Sequence, residues 1–377
     1  MASSEGSGRN AQLDGLRGYA AMSVAVFHTI TSVDYTQVGR IYFQMFWQID
    51  GTYDRLTKVV FTLFNGLTPV VIFFILSGAV LSKSLMRADG PLRTTAKDFL
   101  IRRVLRIYPA LLVCLIPAWM IFNAWVYPIP LSDLGRNVIL YDFTPNGSTW
   151  TLNVEMLAGP LILLAFVGFA YFREVGLIIA LIAISLAFHH IIPPGPPEFL
   201  RTYWSCFAVG MLVPTHVGEL VARYLPRHSW IVALIVMMIA NYVIPYPGYA
   251  TVVHRVSAAL LVSLLYYGQA GSLGRFLDRP ISVFMGRISY SFYLFAAPMM
   301  FLLGGILKWI DPWVKDYPLE AGVPLAALVV AATIPVAMLS YRWVEKPFII
   351  LSGRLTGSGR GSRVSPSAEA VSSVPVS

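Results

Sequence analysis

The sequence predicts an all-α fold: a polytopic transmembrane helical bundle of about ten helices, with the N- and C-termini on the cytoplasmic side. Three observations carry this expectation. Of 377 residues, 56% are hydrophobic and only 12% charged, with a mean hydropathy of +0.66. A water-soluble domain carries about 25% charged residues, so this apolar mass has lipid as its solvent. Apolar runs of ~20 residues recur along the chain, the length an α-helix needs to cross a bilayer. The backbone of such runs must satisfy its own hydrogen bonds, which a helix does. The alternating ten-residue segments of a β-barrel are not found. Finally, placing the N-terminus inside puts 20 of the 28 Lys and Arg residues on the cytoplasmic side, as the positive-inside rule requires of an even number of spans.

The expected spans are 13–33, 66–86, 103–127, 150–172, 175–192, 199–217, 230–246, 249–270, 286–308 and 321–343. The first apolar run begins near Leu13 after a polar start and is long enough to remain as a helix. Residues 1–12 read as a cytoplasmic N-terminal segment, 13–348 as the membrane domain and 349–377 as a disordered cytoplasmic tail rich in Gly, Ser, Pro and Val. Pro245 and Pro247 interrupt the 230–270 region, and Arg201 lies inside the sixth span. Cys114 and Cys206 both fall inside apolar runs and read as core or lipid-facing thiols, not a disulfide. The net charge of +9 is assigned to basic cytoplasmic loops, not to nucleic acid.

Ionisable residues inside membrane helices are costly and mark function more often than not. The first span carries Asp14, Arg17 and His28 in LDGLRGYAAMSVAVFH. Asp14 and Arg17 are three apart and can pair. Arg17 and His28 are eleven apart, which returns to within about 20° of the same face, ~16 Å further along the axis. Set against this, a lone membrane histidine can be a bonded core residue and Arg17 a topology anchor. A second cluster is FLIRRVLRIYP, where Arg102, Arg103 and Arg106 stand at the junction of a cytoplasmic loop and the third span. Guanidinium forks suit phosphate oxygens, although from this segment alone topology anchoring is the favoured reading. In STWTLNVE, Glu155 falls one to two turns into the outer end of the fourth span, at a depth comparable to His28. A histidine with a carboxylate makes an acid/base pair; the alternative is an interfacial acid beside an aromatic anchor, Trp150. His189 and His190 read as interfacial, and no metal site, phosphate loop or nucleophile elbow at Ser77 is expected.

These motifs together, in order and across residues 13–348, resemble acyltransferase family 3, membrane enzymes many of which acylate sugars. LDGLRGYAAMSVAVFH resembles its first-helix signature, with Arg17 and His28 in the Arg-x10-His pattern. FFILSGAVLS, FLIRRVLRIYP with Arg103 and Arg106, and STWTLNVE are similar to its next three motifs, Thr151 replacing the usual Ser. ISYSFYLFAAP, which includes Ser289 and Tyr290, and LSYRWVEKPF are similar to its last two. One departure is Ala296, where the family often has a histidine before the late proline, here Pro298. The resemblance implies a multi-pass protein of a bacterial inner membrane that moves an acyl group, acetyl foremost, from cytoplasmic acyl-coenzyme A to a hydroxyl of a glycan or glycolipid. Acyl-coenzyme A would be a co-substrate, with no tightly bound cofactor. His28 is then the candidate base or acyl carrier. Arg17 would stabilise negative charge, Arg103 and Arg106 hold the donor's phosphates, and Glu155 orient His28, take a proton or bind acceptor hydroxyls. The competing class is a transporter or translocase of a glycan or lipid-linked precursor, since buried charge serves both trades; the chain shows no internal repeat of the kind transporters carry.

Overall fold

The computed structural model describes residues 10–190, 198–243, 250–314 and 318–357. The described residues form helices joined by turns and loops, without strands. The helices in chain order are α1 (Ala11–Val33), α2 (Tyr35–Phe43), α3 (Thr52–Leu63), α4 (Leu67–Met86), α5 (Leu92–Trp125), α6 (Leu131–Val138) and α7 (Trp150–His190). There follow α8 (Glu198–Leu212), α9 (His216–Tyr224), α10 (Ser229–Val243), α11 (Ala250–Tyr266), α12 (Gly271–Leu277), α13 (Pro280–Ile310), α14 (Pro318–Ser340) and α15 (Lys346–Leu355). Within the described residues most expected spans fall on one helix each, whereas 199–217 runs across α8 and the start of α9. Pro245, Pro247 and the IIPPGPP stretch at 191–197 lie outside the described residues, as do 358–377, most of the expected tail. Helix α15 carries regular structure past 349, where that tail was expected to begin.

Among the described residues, five helical segments are long and apolar enough to cross a membrane, and seven if each of two bent pairs is one span. This is fewer than ten, for physical reasons. One of the five, around α7, is two helices: Phe172 and Arg173 leave helical geometry. A Cβ on Gly168 would press on the carbonyl of Gly176 and lie 3.2 Å from Ala180 Cβ. In a continuous helix residues 168 and 180 would be about 18 Å apart, so the chain turns back on itself, as the expected spans 150–172 and 175–192 require. Helix α8 bends by 78° into α9, and α11 by 74° into α12.

Helix α1 is absent from the five because Asp14, Arg17, His28 and its serines and threonines lower its hydropathy. Asp14 is tolerated because it is surrounded with protein, and Arg17 because it faces a cavity. The Leu13–Ala25 half of α1 packs on α13, α14 and α4, with Ala21 and Ala25 against Ile288, Phe292, Ala296 and Ala337. Glycine permits the approach: a Cβ on Gly18 would lie 2.7 Å from Met285 Cβ, and one on Gly286 would collide with the Asp14 carbonyl. Such small-residue seams are how membrane helices gain dispersion contact where lipid gives no hydrophobic drive. A larger core joins α4, α7, α8 and α11 through Phe74, Phe207, Leu177 and Leu264.

Residues 10 and 357, the first and last described, lie at the same end of the bundle. Asn10 Nδ2 donates to the carbonyls of Leu265 and Tyr266. The Tyr266 ring holds Lys83 Nζ at 4.6 Å, and Lys83 shares a cavity with Gly357. On the sidedness expected from the charge count, this is the cytoplasmic end. Helix α5 starts at Leu92, so the arginines expected at a loop boundary lie about three turns inside a helix of 34 residues. That helix is about 51 Å long against a ~30 Å hydrocarbon core, so its first turns stand in the cytoplasmic headgroup region.

Candidate active site

The polar residues of α1, α4, α5, α7 and α13 converge on a cavity of about 870 Å³ that opens at the cytoplasmic end, where α15 forms part of its mouth. Six cations line it: Arg17, Lys83, Arg87, Arg102, Arg103 and Arg106. They face three acids, Asp89, Asp98 and Glu155. An excess of cations in a partly enclosed space concentrates anions.

At the inner end, Glu155 Oε1 accepts the Ser77 hydroxyl at 2.9 Å. Arg103 Nη2 donates to the main-chain carbonyl of Glu155. Arg103 is buried, and Gly159 leaves the room it needs, since a Cβ there would lie 3.2 Å from Arg103 Cδ. Arg103 therefore fastens α5 to α7 and fixes the turn that presents Glu155. Arg106 is exposed within the cavity. The two arginines expected to act together thus differ: one is a strut, the other stands open to an anion.

Ser289 lines the cavity and donates to the Gly286 carbonyl at 2.9 Å. Tyr290 lines it too, its hydroxyl donating to the Ile107 carbonyl at 2.6 Å. The deep wall is aromatic. Phe73 and Tyr293 meet edge to face at 5.8 Å, and the Tyr293 hydroxyl is 3.2 Å from Thr151 Oγ1. Trp150 is not in the wall; it packs between Phe199 and Tyr203 at 5.0 and 5.3 Å. Asp14 is buried at the cytoplasmic end of α1, against Gly286. Ala296 sits in the apolar seam between α1, α13 and α14, so the position often held by histidine in the family is core here.

His28 lies elsewhere, and the expected His28–Glu155 pair is not formed. A Cβ on Gly66 would touch the Phe27 ring at 2.6 Å, so the start of α4 is level with His28. Ser77 follows eleven residues later, about 16 Å along the axis, and Glu155 is bonded to it. Glu155 is therefore level with Arg17, about three turns inward of His28. The depth was misjudged because the chain before α7 folds into the bundle. Asn146, fully buried, donates to the Leu294 carbonyl in the middle of α13 at 2.9 Å, and α7 starts from that depth. His28 is exposed, with its ring edge-on to Phe27 at 5.3 Å, and outside the cavity.

Ser77 escaped the sequence reading because it lacks a nucleophile elbow; its use is as a donor to Glu155. Lys83 and Arg87 also line the cavity and lie in none of the motifs read from the sequence. Cys114 and Cys206 are free and buried, as expected. His189 and His190 are exposed, and no group of metal-ligating residues occurs among the described residues.

A family model for an acyltransferase domain matches residues 10–342. The chain belongs to acyltransferase family 3. A curated relative of this family member, an O-acetyl transferase of Shigella phage Sf6, is 30% identical over 113 residues; the match covers 23% of this chain and 31% of the relative. The chain thus spans about a third of that relative. No solved structure matches.

Proposed function

We propose that this family member is a membrane O-acyltransferase. It would take an acyl group, acetyl foremost, from cytoplasmic acyl-coenzyme A and pass it to a hydroxyl of a glycan or glycolipid. The observation that carries this reading is the cavity: cationic at its cytoplasmic mouth, carboxylate-bearing at its inner end and aromatic beyond. Such a gradient suits an acyl thioester on a phosphorylated nucleotide, with phosphates outermost and thioester innermost. The name of the phage relative, an O-acetyl transferase, agrees with it.

In the transfer, the acceptor oxygen attacks the thioester carbonyl and the coenzyme A thiolate leaves. The acceptor's proton must go to a base. His28 continues the Arg17 face of α1 outward, and its exposed ring is open to an acceptor from the far side. Arg17, level with Glu155, offers positive charge to the oxyanion or the departing thiolate. Glu155, bonded by Ser77, stands on the donor side, so its role is separate from orienting His28. For His28 to act as base, or as acyl carrier, the thioester must extend beyond the Glu155 end of the cavity, since His28 lies about 16 Å further outward.

The test is transfer from radiolabelled acetyl-coenzyme A in native-host membranes carrying wild type or His28→Ala. Label entering a glycan or lipid fraction with wild type alone supports the enzyme and the histidine together. No label with wild type, using acetyl- or succinyl-coenzyme A, sinks the reading. Label that stays on the protein when acceptor is withheld identifies the covalent route.

A further inference from the structure

The cavity mouth contains a part that neither the motifs nor the inner chemistry use: the end of α15. Arg102 Nε donates to Thr356 Oγ1 at 2.9 Å, across 254 residues of sequence. Thr356 caps α15, and Gly357 follows at φ +67, the left-handed conformation in which helices commonly end on glycine. Both residues line the cavity. Lys83 and Arg87 approach from the end of α4, Lys83 resting on the Tyr266 ring. Asp89 and Asp98 complete the mouth.

A guanidinium held through Nε presents its two terminal nitrogens as a planar fork, the arrangement that grips a phosphate at two oxygens. Fixing Nε removes rotamers that a free arginine would lose on binding. Two further cations stand beside it at the same mouth. Arg106 and Arg17 lie deeper, so the cations form two groups along the cavity, an outer and an inner. A nucleotide with a pyrophosphate on one side of the ribose and a monophosphate on the other carries its anionic charge in two separate places.

Resting on the donor assignment above, we propose that Lys83, Arg87 and Arg102, the last aimed by Thr356, read the 3′-phosphate of coenzyme A. Helix α15 is then part of the donor site, and Thr356 is a positioning residue acting through Arg102. The end of the helix that follows the closing motif is then a wall that selects the phosphorylated donor.

The experiment compares acetyl-coenzyme A with acetyl-3′-dephospho-coenzyme A in membranes containing the full chain. Wild type should favour the phosphorylated donor at least tenfold in kcat/KM. Arg102→Ala and Thr356→Val should shrink that ratio fivefold or more, through KM for acetyl-coenzyme A, while Thr356→Ser keeps it. Equal use of the two donors by wild type overturns the inference and leaves the acyltransferase intact. An undiminished ratio in both variants overturns the role of Arg102 and Thr356. Binding to the purified protein is read independently of transfer: adenosine 3′,5′-bisphosphate should bind wild type at least tenfold tighter than AMP. Equal binding also overturns the inference, whereas tight bisphosphate binding without transfer from either donor keeps the site and sinks the acyltransferase reading.

Discussion

The two ends of α1 carry the same kind of residue in opposite settings. At the cytoplasmic end, Arg17 faces a cavity shared with Glu155 and five other cations, and the backbone is clamped against α13 by glycine contacts. At the far end, His28 is exposed beside an aromatic cluster of Phe27, Tyr42 and Phe61. One end is a partly enclosed, anion-concentrating chamber and the other an accessible histidine set among aromatic rings. A single polar stripe on a helix can thus serve two compartments, because eleven residues restore the angle while advancing about 16 Å.

The sharpest way to break this comparison is His28→Ala. Transfer should fall by about 10²–10⁴, the usual worth of a positioned base, with donor binding kept at the inner chamber. Wild-type turnover would move the chemistry wholly to the Glu155 end. The arginines of α5 sharpen it next. Arg106→Ala should raise KM for acyl-coenzyme A about tenfold or more, as loss of a charged hydrogen bond does, and the effect should diminish as salt is added. Arg103→Ala should instead lower thermal stability in detergent by about 1–3 kcal/mol, because the Glu155 carbonyl loses its charged donor. An equal KM effect from both would deny the division into strut and ligand.

Backbone packing separates the ends more weakly. Gly286→Ala forces a methyl into the Asp14 carbonyl and should cost about 1–3 kcal/mol. Gly39→Ala, on α2 near the outer end, meets nothing within 4 Å and should leave the melting temperature unchanged. The smallest effect belongs to the loop before α7. The main-chain N–H of Thr144, and then its hydroxyl, hold the Asp142 carboxyl below its ordinary range. A depressed folded-state value means a stabilisation present above the ordinary carboxylate range and lost as pH falls through the folded value. Asp142→Ala should therefore lower the melting temperature slightly at pH 7, and the difference from wild type should vanish in strong acid. Solvent screening keeps it small.

Much of the fold was legible. Long apolar runs can only be helices in lipid, and glycine spacing in the first span announced a close-packed seam. The hairpin at 172–173 was legible from the polar Arg173–Glu174 pair between two apolar runs. The depth of Glu155 was not. Hydropathy places a residue by counting from the nearest apolar boundary, but Asn146 draws that boundary into the protein by bonding Leu294. Arg103 and Arg106 share a helix face and a motif, and nothing in their spacing says that one meets the Glu155 carbonyl.

The sequence by itself determined the solvent, the helical class, the cytoplasmic charge bias and the residue types available for acyl transfer, because these follow from transfer energies and helix periodicity along one segment at a time. Only the tertiary structure decided which of those residues meet. It joined Glu155 to Ser77 and Arg102 to Thr356, and set His28 three turns away from the carboxylate expected beside it. Such pairings depend on how deeply each helix is inserted and how it is rotated against its neighbours, which is set by contacts between segments far apart in the chain.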